Sequence, residues 1–247
     1  MIIFTDGSTL CNGKKNACGG FAFYIPTQNG INEIVCSYAL ASTDKIKVTN
    51  NIAELLGAII GIQTAINNMQ TLDTIHVYTD SNYVIKAATD YSKKWISNNW
   101  KTANGKPVLN LWLVFHLIQL TKKYPIIFHH ILAHTEKPAK ESKEYILWKG
   151  NDIVDKLANS AASDLSNAGK TINILKWSNL ACKITEWIKR DLSDIIPIPE
   201  QVITQIKLLL VPTQIVNISE NDNNDDYKQY YKKHKSLKNT INQINDI

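Results

Sequence analysis

Cysteine is scarce in this chain, and none of the few pairs off by spacing. Cys11, Cys18, Cys36 and Cys182 form no C-x-x-C unit and lack the density of a disulfide scaffold. A stapled secreted module is thereby excluded, and reduced thiols are expected. Long apolar runs are missing too, since none approaches the roughly 18 residues needed to cross a bilayer. Asp6 also interrupts the N-terminus where the apolar core of a leader would lie. A soluble intracellular protein, cytoplasmic or nuclear and without a membrane partner, is the expectation. Charge of one sign is scant as well: a formal net charge of +5 and a pI near 8.8 permit a polyanionic partner without establishing one. What is there is ample for folding. The 247 residues, 44% of them hydrophobic, suffice for one substantial domain and an appendage.

The opening stretch M-I-I-F-T-D-G-S-T reads as a strand ending at Asp6, with Gly7 and Ser8 supplying a turn. Taken alone, Asp-Gly-Ser is also an ordinary solvated turn. The runs C-G-G-F-A-F-Y-I-P and N-E-I-V-C-S-Y-A-L follow across short polar links, which predicts an antiparallel meander. A helix opens at T-N-N-I-A-E-L-L with Thr49 or Asn50 as its N-cap. At a 3.6-residue period Ile52, Leu55, Leu56, Ile59 and Ile60 line one face, and Glu54, Gly57, Ala58, Gly61 and Ala65 a second stripe of small residues. Two packing faces mean a buried helix, and the paired glycines predict close approach of another element. Glu54, placed in the first turn, also suits the helix dipole.

T-I-H-V-Y-T-D-S-N-Y-V-I reads as a strand closed by Asp80, with Ser81 capping the next helix. The segment from Tyr91 to Asn110 interleaves Trp95 and Trp100 with lysines. It suits a nucleic-acid backbone groove, although on these residues alone a solvated loop anchored by two tryptophans is the safer reading. A helix from Pro107 to Lys123 presents Leu109, Trp112, Leu113, His116, Leu117 and Leu120 as a core stripe. The strand P-I-I-F-H-H-I-L-A encloses His129 and His130, for which structural roles are expected, and delivers His134 to a polar loop suited to chemistry. A final helix in this region, K-G-N-D-I-V-D-K-L-A, places Asn151 and Asp155 on one face, away from Asp152.

Asp6, Glu54, Asp80 and Asp155 thus lie on two strands and two helices in the order β-β-β-α-β-α-β-α. With the first and fourth strands adjacent, their acids converge. Clustered carboxylates repel unless they bind cations, and hard oxygen donors select Mg²⁺ or Mn²⁺. Two such ions about 3.5–4 Å apart are the device for in-line attack on a phosphodiester.

The pieces F-T-D-G-S, G-G-F-A-F, T-N-N-x-A-E-L, Y-T-D-S-N-Y-V, W-K-T-A-N-G-K-P-V-L-N and G-N-D-I-V-D-K-L-A occur in family order over about residues 1–165. Together they resemble type 1 ribonuclease H. The resemblance implies a five-stranded mixed sheet, three antiparallel strands then two parallel, flanked by helices. It implies that Asp6, Glu54, Asp80 and Asp155 hold two Mg²⁺ ions, with Mn²⁺ as a substitute, and that His134 assists proton transfer or product release. Asn12, Asn50 and Asn82 match positions that contact an RNA/DNA hybrid. Thr49 and Asn110 match a phosphate pocket, and Trp95 and Trp100 fall in the family's handle.

Residues 1–168 are then the catalytic domain of a hybrid-cleaving endoribonuclease, expected to be monomeric. A non-catalytic binding or scaffold protein on the same fold is the alternative. The segment between His134 and Asn151 is longer than the family pattern, which leaves open whether His134 reaches the acids or Lys137, Lys140 and Lys143 reach substrate. Residues 169–247 form an extension of unassigned role: a mainly helical part around Leu180, Ile184 and Trp187, then a polar tail. That tail is either solvated or a site for a protein or nucleic-acid partner.

Overall fold

Short polar links between the first three apolar runs leave them no choice but to pair as neighbours. In the computed structural model, which describes residues 1–28, 32–69, 73–166, 177–187 and 198–210, they do so. Strands β1 (Ile2–Leu10), β2 (Cys18–Ile25) and β3 (Ile34–Ala41) form an antiparallel meander, with Asp6 opposite Ala22 and Phe23 opposite Cys36. Strands β4 (Ile75–Thr79) and β5 (Ile126–His130) are parallel to β1 and complete one five-stranded sheet in the order β3-β2-β1-β4-β5. The mixed sheet has the composition expected from the sequence.

One detail differs at the first acid. β1 does not end at Asp6 but runs on to Leu10, because Gly7 to Leu10 keep β2 as a partner. What does end there is the other neighbour. β4 pairs with β1 only from Ile2 to Phe4 and stops at Thr79, so the Asp6 side chain stands at the mouth of a gap between two parallel strands.

Helix α1 (Asn50–Asn68) crosses β1 and β2 on one face of the sheet. Thr49 caps it, its hydroxyl accepting from the Ile52 N–H at 3.4 Å. The stripe of small residues lets the helix down onto β1. A Cβ on Gly57 would sit 2.9 Å from the Asp6 carbonyl oxygen, and one on Gly7 only 2.2 Å from the Glu54 nitrogen. Glu54 lies past the first turn, so it owes its place to this crossing rather than to the helix dipole.

Helices α2 (Asn82–Ala88) and α3 (Asp90–Ser97) follow β4, with Ser81 capping α2 through the Val84 N–H at 3.2 Å. Helix α4 (Leu111–Lys123) packs on α1. It starts later than expected because Asn110 adopts a left-handed conformation, φ 53°, and Leu109, expected in the core, is 77% exposed.

On the opposite face α5 (Glu144–Ser166) covers β1, β2 and β3 through Val154 and Ala158 against Phe4, Ala22 and Tyr24. The sequence reading opened this helix at Lys149, yet it starts at Glu144, so the end of the lengthened segment is helical. Gly150 is internal to the helix because a Cβ there would strike the Phe4 ring at 2.5 Å.

Helices α6 (Trp177–Trp187) and α7 (Glu200–Leu210) complete the described structure. The first was expected as a helix, and the second, V-I-T-Q-I-K-L-L-L, is helical as well. Their residues Trp177, Leu180, Ile184, Trp187, Val202 and Ile206 are buried in the same core as α1 and α4. The acidic, asparagine-rich run and the lysine- and tyrosine-rich tail lie outside the described residues.

Candidate active site

Four elements converge where the β1–β4 pairing stops. Asp6 comes from β1, Glu54 from α1, Asp80 from the turn between β4 and α2, and Asp155 from α5. Each of three acids is held by a donor. The Gly7 N–H donates to Asp6 Oδ1 at 2.7 Å. Glu54 accepts from Asn50 Nδ2 at 2.7 Å and from the Ser81 hydroxyl at 2.6 Å. Asp155 accepts from Asn159 Nδ2 at 2.9 Å, and the Ser8 hydroxyl in turn donates to Asn159. The fourth acid, Asp80, is approached by imidazole: His130 Nε2 lies 3.2 Å from its main-chain carbonyl oxygen.

Electrostatics report the convergence directly. Asp6, 7% exposed, is pushed up to about 8 by burial first and then by Asp80, with Asp155 and Glu54 adding and the Gly7 N–H opposing. Burial also pushes Glu54 up to about 7, opposed by the Ser81 hydroxyl and reinforced by Asp80. Asp80 is raised by burial, with Asp155 adding and His130 and His134 opposing. Asp6 therefore feels the other three acids, and Glu54 and Asp80 each feel one of them. Such a site holds protons it would release to a cation.

The donor set suits a hard divalent ion, since all four side chains offer carboxylate oxygen. Among the described residues, no three His, Cys, Asp or Glu side chains close into a metal cage. Mg²⁺ needs no such cage, because it retains water and uses one or two carboxylates together with substrate phosphates. An open cluster flanked by polar donors is compatible with that habit.

His134 is exposed with φ 52° and lies within electrostatic reach of Asp80, so the long segment after it does not carry it away from the acids. His130, read from sequence as structural, joins the site, with its Nε2 also 3.3 Å from Asn82 Nδ2. Ser8 and Asn159 were missed as well. A signal existed for Asn159: it sits four residues after Asp155, one helical turn on.

The sequence-predicted substrate contacts divide. Asn12, Thr49 and Asn50 lie together where the β1–β2 loop meets the start of α1, with Asn12 Oδ1 accepting from the Asn50 N–H at 3.2 Å. Asn82 opens α2 beside His130, and Asn110 turns the chain into α4. Trp95 is half-buried against Tyr91, ring centroids 5.2 Å apart. Trp100 departs from expectation: 7% exposed and edge-on to Phe115, it anchors the loop and offers no face for stacking. The bland reading of that residue was the right one. Exposed Lys93, Lys94, Lys101 and Lys106 surround it.

The RNase H family model matches residues 1–163. The chain belongs to the ribonuclease H family. Ribonuclease H of Clostridium botulinum (strain Hall) is 31% identical over 167 residues, which cover 67% of this chain and 97% of the relative. Ribonuclease H of Schizosaccharomyces pombe is 31% identical over 164 residues, 66% of this chain, and the match spans about half, 53%, of that relative's length. A foamy viral protease–reverse transcriptase, solved in complex with double-stranded DNA, shares the fold with a TM-score of 0.50 at 21% identity, covering 66% of this chain and 94% of that one. In this ribonuclease H family member all four acids and both histidines fall inside the matched span. Helices α6 and α7 fall beyond it.

Proposed function

We propose that this protein hydrolyses the RNA strand of RNA/DNA hybrids, leaving 5′-phosphate and 3′-hydroxyl ends. The observation that carries the reading is the convergence of Asp6, Glu54, Asp80 and Asp155, each within electrostatic reach of another. Asp6 and Asp155 would hold one Mg²⁺ and Asp6, Glu54 and Asp80 a second, with Mn²⁺ as a substitute. Bound there, the ions supply an activated water and charge stabilisation at the leaving oxygen.

The protein's own groups do the rest. Ser81, Asn50 and Asn159 orient Glu54 and Asp155, so the cluster is built before substrate arrives. His134, on the rim, moves protons or eases product departure. Asn12, Asn50 and Asn82 would line the hybrid's wide minor groove, where 2′-hydroxyls distinguish one strand from the other. Thr49 and Asn110 would take a DNA phosphate, and the handle lysines the backbone, so binding should weaken as salt rises.

The test is cleavage of a uniform RNA/DNA hybrid beside double-stranded RNA, double-stranded DNA and single-stranded RNA, with Mg²⁺ or Mn²⁺ and an Asp6→Asn control. Loss of the hybrid's RNA strand alone, abolished by a chelator and by the substitution, is the expected result. Hybrid binding without cleavage would replace this reading with a scaffold on the ribonuclease H fold.

A further inference from the structure

The long segment after His134 resolves into an irregular stretch, 135–143, and the two added turns of α5, residues 144–150. Those added turns reach back to the loop through Trp148 and Tyr145. The Trp148 indole N–H donates to the Thr135 carbonyl at 3.1 Å, and Thr135 is the residue after His134. His134 itself holds φ 52°, a left-handed backbone that a residue with a Cβ keeps only when its surroundings enforce it. Two residues further on, the Lys137 ammonium lies 5.6 Å from the Trp148 ring and 5.9 Å from that of Tyr145, and the two rings stack. The cation is therefore laid on the helix. It is not directed outward toward substrate.

Trp148 stands seven residues before Asp155 on the same continuous helix. Seven residues are two turns, so both side chains occupy one flank, about 10 Å apart along the axis. The same rigid element thus carries an acid of the cluster and the pin for the histidine loop. His134 lies within electrostatic reach of Asp80, as does Asp155.

We propose that Trp148 is a positioning residue: through the Thr135 carbonyl it fixes His134 over the acid cluster at a set distance from Asp155. The inference rests on the ribonuclease reading above and adds to it a residue of this chain's own lengthened segment.

The experiment is steady-state hydrolysis of a uniform RNA/DNA hybrid with Mg²⁺ by the full-length protein and its Trp148→Phe, His134→Ala and doubly substituted forms. Phenylalanine keeps a ring under Lys137 and removes the N–H. Trp148→Phe should lower kcat about tenfold with KM changed less than about twofold, and in the His134→Ala background the same substitution should change kcat less than about twofold. Ile146→Ala, on the same turns and 61% exposed, should leave kcat unchanged. An equal loss in both backgrounds, a change in KM alone, or no loss would overturn the proposal. A second readout needs no activity. The imidazole Cε1–H proton line of His134, identified by its absence in His134→Ala, should shift in Trp148→Phe, and an unmoved line would also overturn it. If the wild type cleaves no hybrid, the ribonuclease reading fails, and this line alone decides whether Trp148 holds the loop.

Discussion

An acid that is 7% exposed and faces three others binds its proton more tightly in the folded chain than in the unfolded one. For Asp6 the folded value is about 8, against about 3.9 unfolded. Glu54 shows the same sense, about 7 folded against about 4.3. Between those limits the native state carries more protons than the unfolded state, so stability must fall as pH rises through the window. These groups contribute their full share below about pH 4 and have lost it above about pH 8, a change on the order of a few kcal/mol. The chelated protein should therefore melt at a higher temperature near pH 5.5 than near pH 8.5. Asp6→Asn should flatten that slope and raise the melting temperature at the alkaline end. Mg²⁺ in excess should recover stability in the wild type at high pH, by binding the form that repulsion disfavours. A pH slope that survives Asp6→Asn unchanged, in thermal melts with a chelator, would remove the cluster as its cause.

At the scale of elements, the site is made where α1 crosses β1, and the crossing depends on two glycines facing each other's backbones. A methyl on Gly7 would meet the Glu54 nitrogen at 2.2 Å, a contact with main chain that no rotamer relieves. Gly7→Ala should therefore force helix and strand apart, lower stability by roughly 2–3 kcal/mol in urea unfolding, and cut activity by separating Glu54 from Asp6. Stability within about 0.5 kcal/mol of wild type would show that the close crossing does not hold helix and strand together.

This crossing was half legible in the sequence. The stripe Gly57, Gly61 announced a close neighbour, but no local signal said that Gly7 was the matching half, because Asp-Gly-Ser reads as a turn. Only the pairing of Gly7 to Leu10 with β2, a tertiary fact, keeps β1 extended past its acid. Gly150, read as part of the last helix, is the point where α5 rides on Phe4; the turns before it were not read as helix, because Tyr145 to Trp148 form a continuous apolar run with no 3.6-residue period. Of the four acids only Asp80 sits at an element boundary; Asp6, Glu54 and Asp155 lie inside β1, α1 and α5, and were singled out by the ordered motifs around them rather than by strand ends or caps. His130 and Ser8 were not legible, since their partners are distant in sequence; Asn159 carried a signal in its four-residue spacing from Asp155 that went unread.

At the scale of the molecule, α6 and α7 lie outside the span matched by the family but inside the core. Trp177 and Trp187 are 5% and 8% exposed. The Trp177 indole N–H donates to the carbonyl of Ala41 at the end of β3, at 2.9 Å, and Trp187 stacks on His116 of α4, ring centroids 5.5 Å apart. Gln205 of α7 accepts the backbone N–H of Trp112, which no residue within α4 itself can satisfy at that first turn.

A covering that caps a helix start and seals two tryptophans behaves as part of the fold, whatever else residues 169–247 do. Trp187→Ala should cost about 3–5 kcal/mol, and the four carboxylates, remote from it, should keep their response to Mg²⁺ at temperatures where the variant is folded. Residues 1–168 alone should then expose the α4 face, and thermal melts should show a shallow, non-cooperative transition where the full chain shows a sharp one. A truncated chain that melts sharply at the full-length temperature and cleaves hybrid at the full-length rate would make the extension a separate unit and its buried tryptophans incidental.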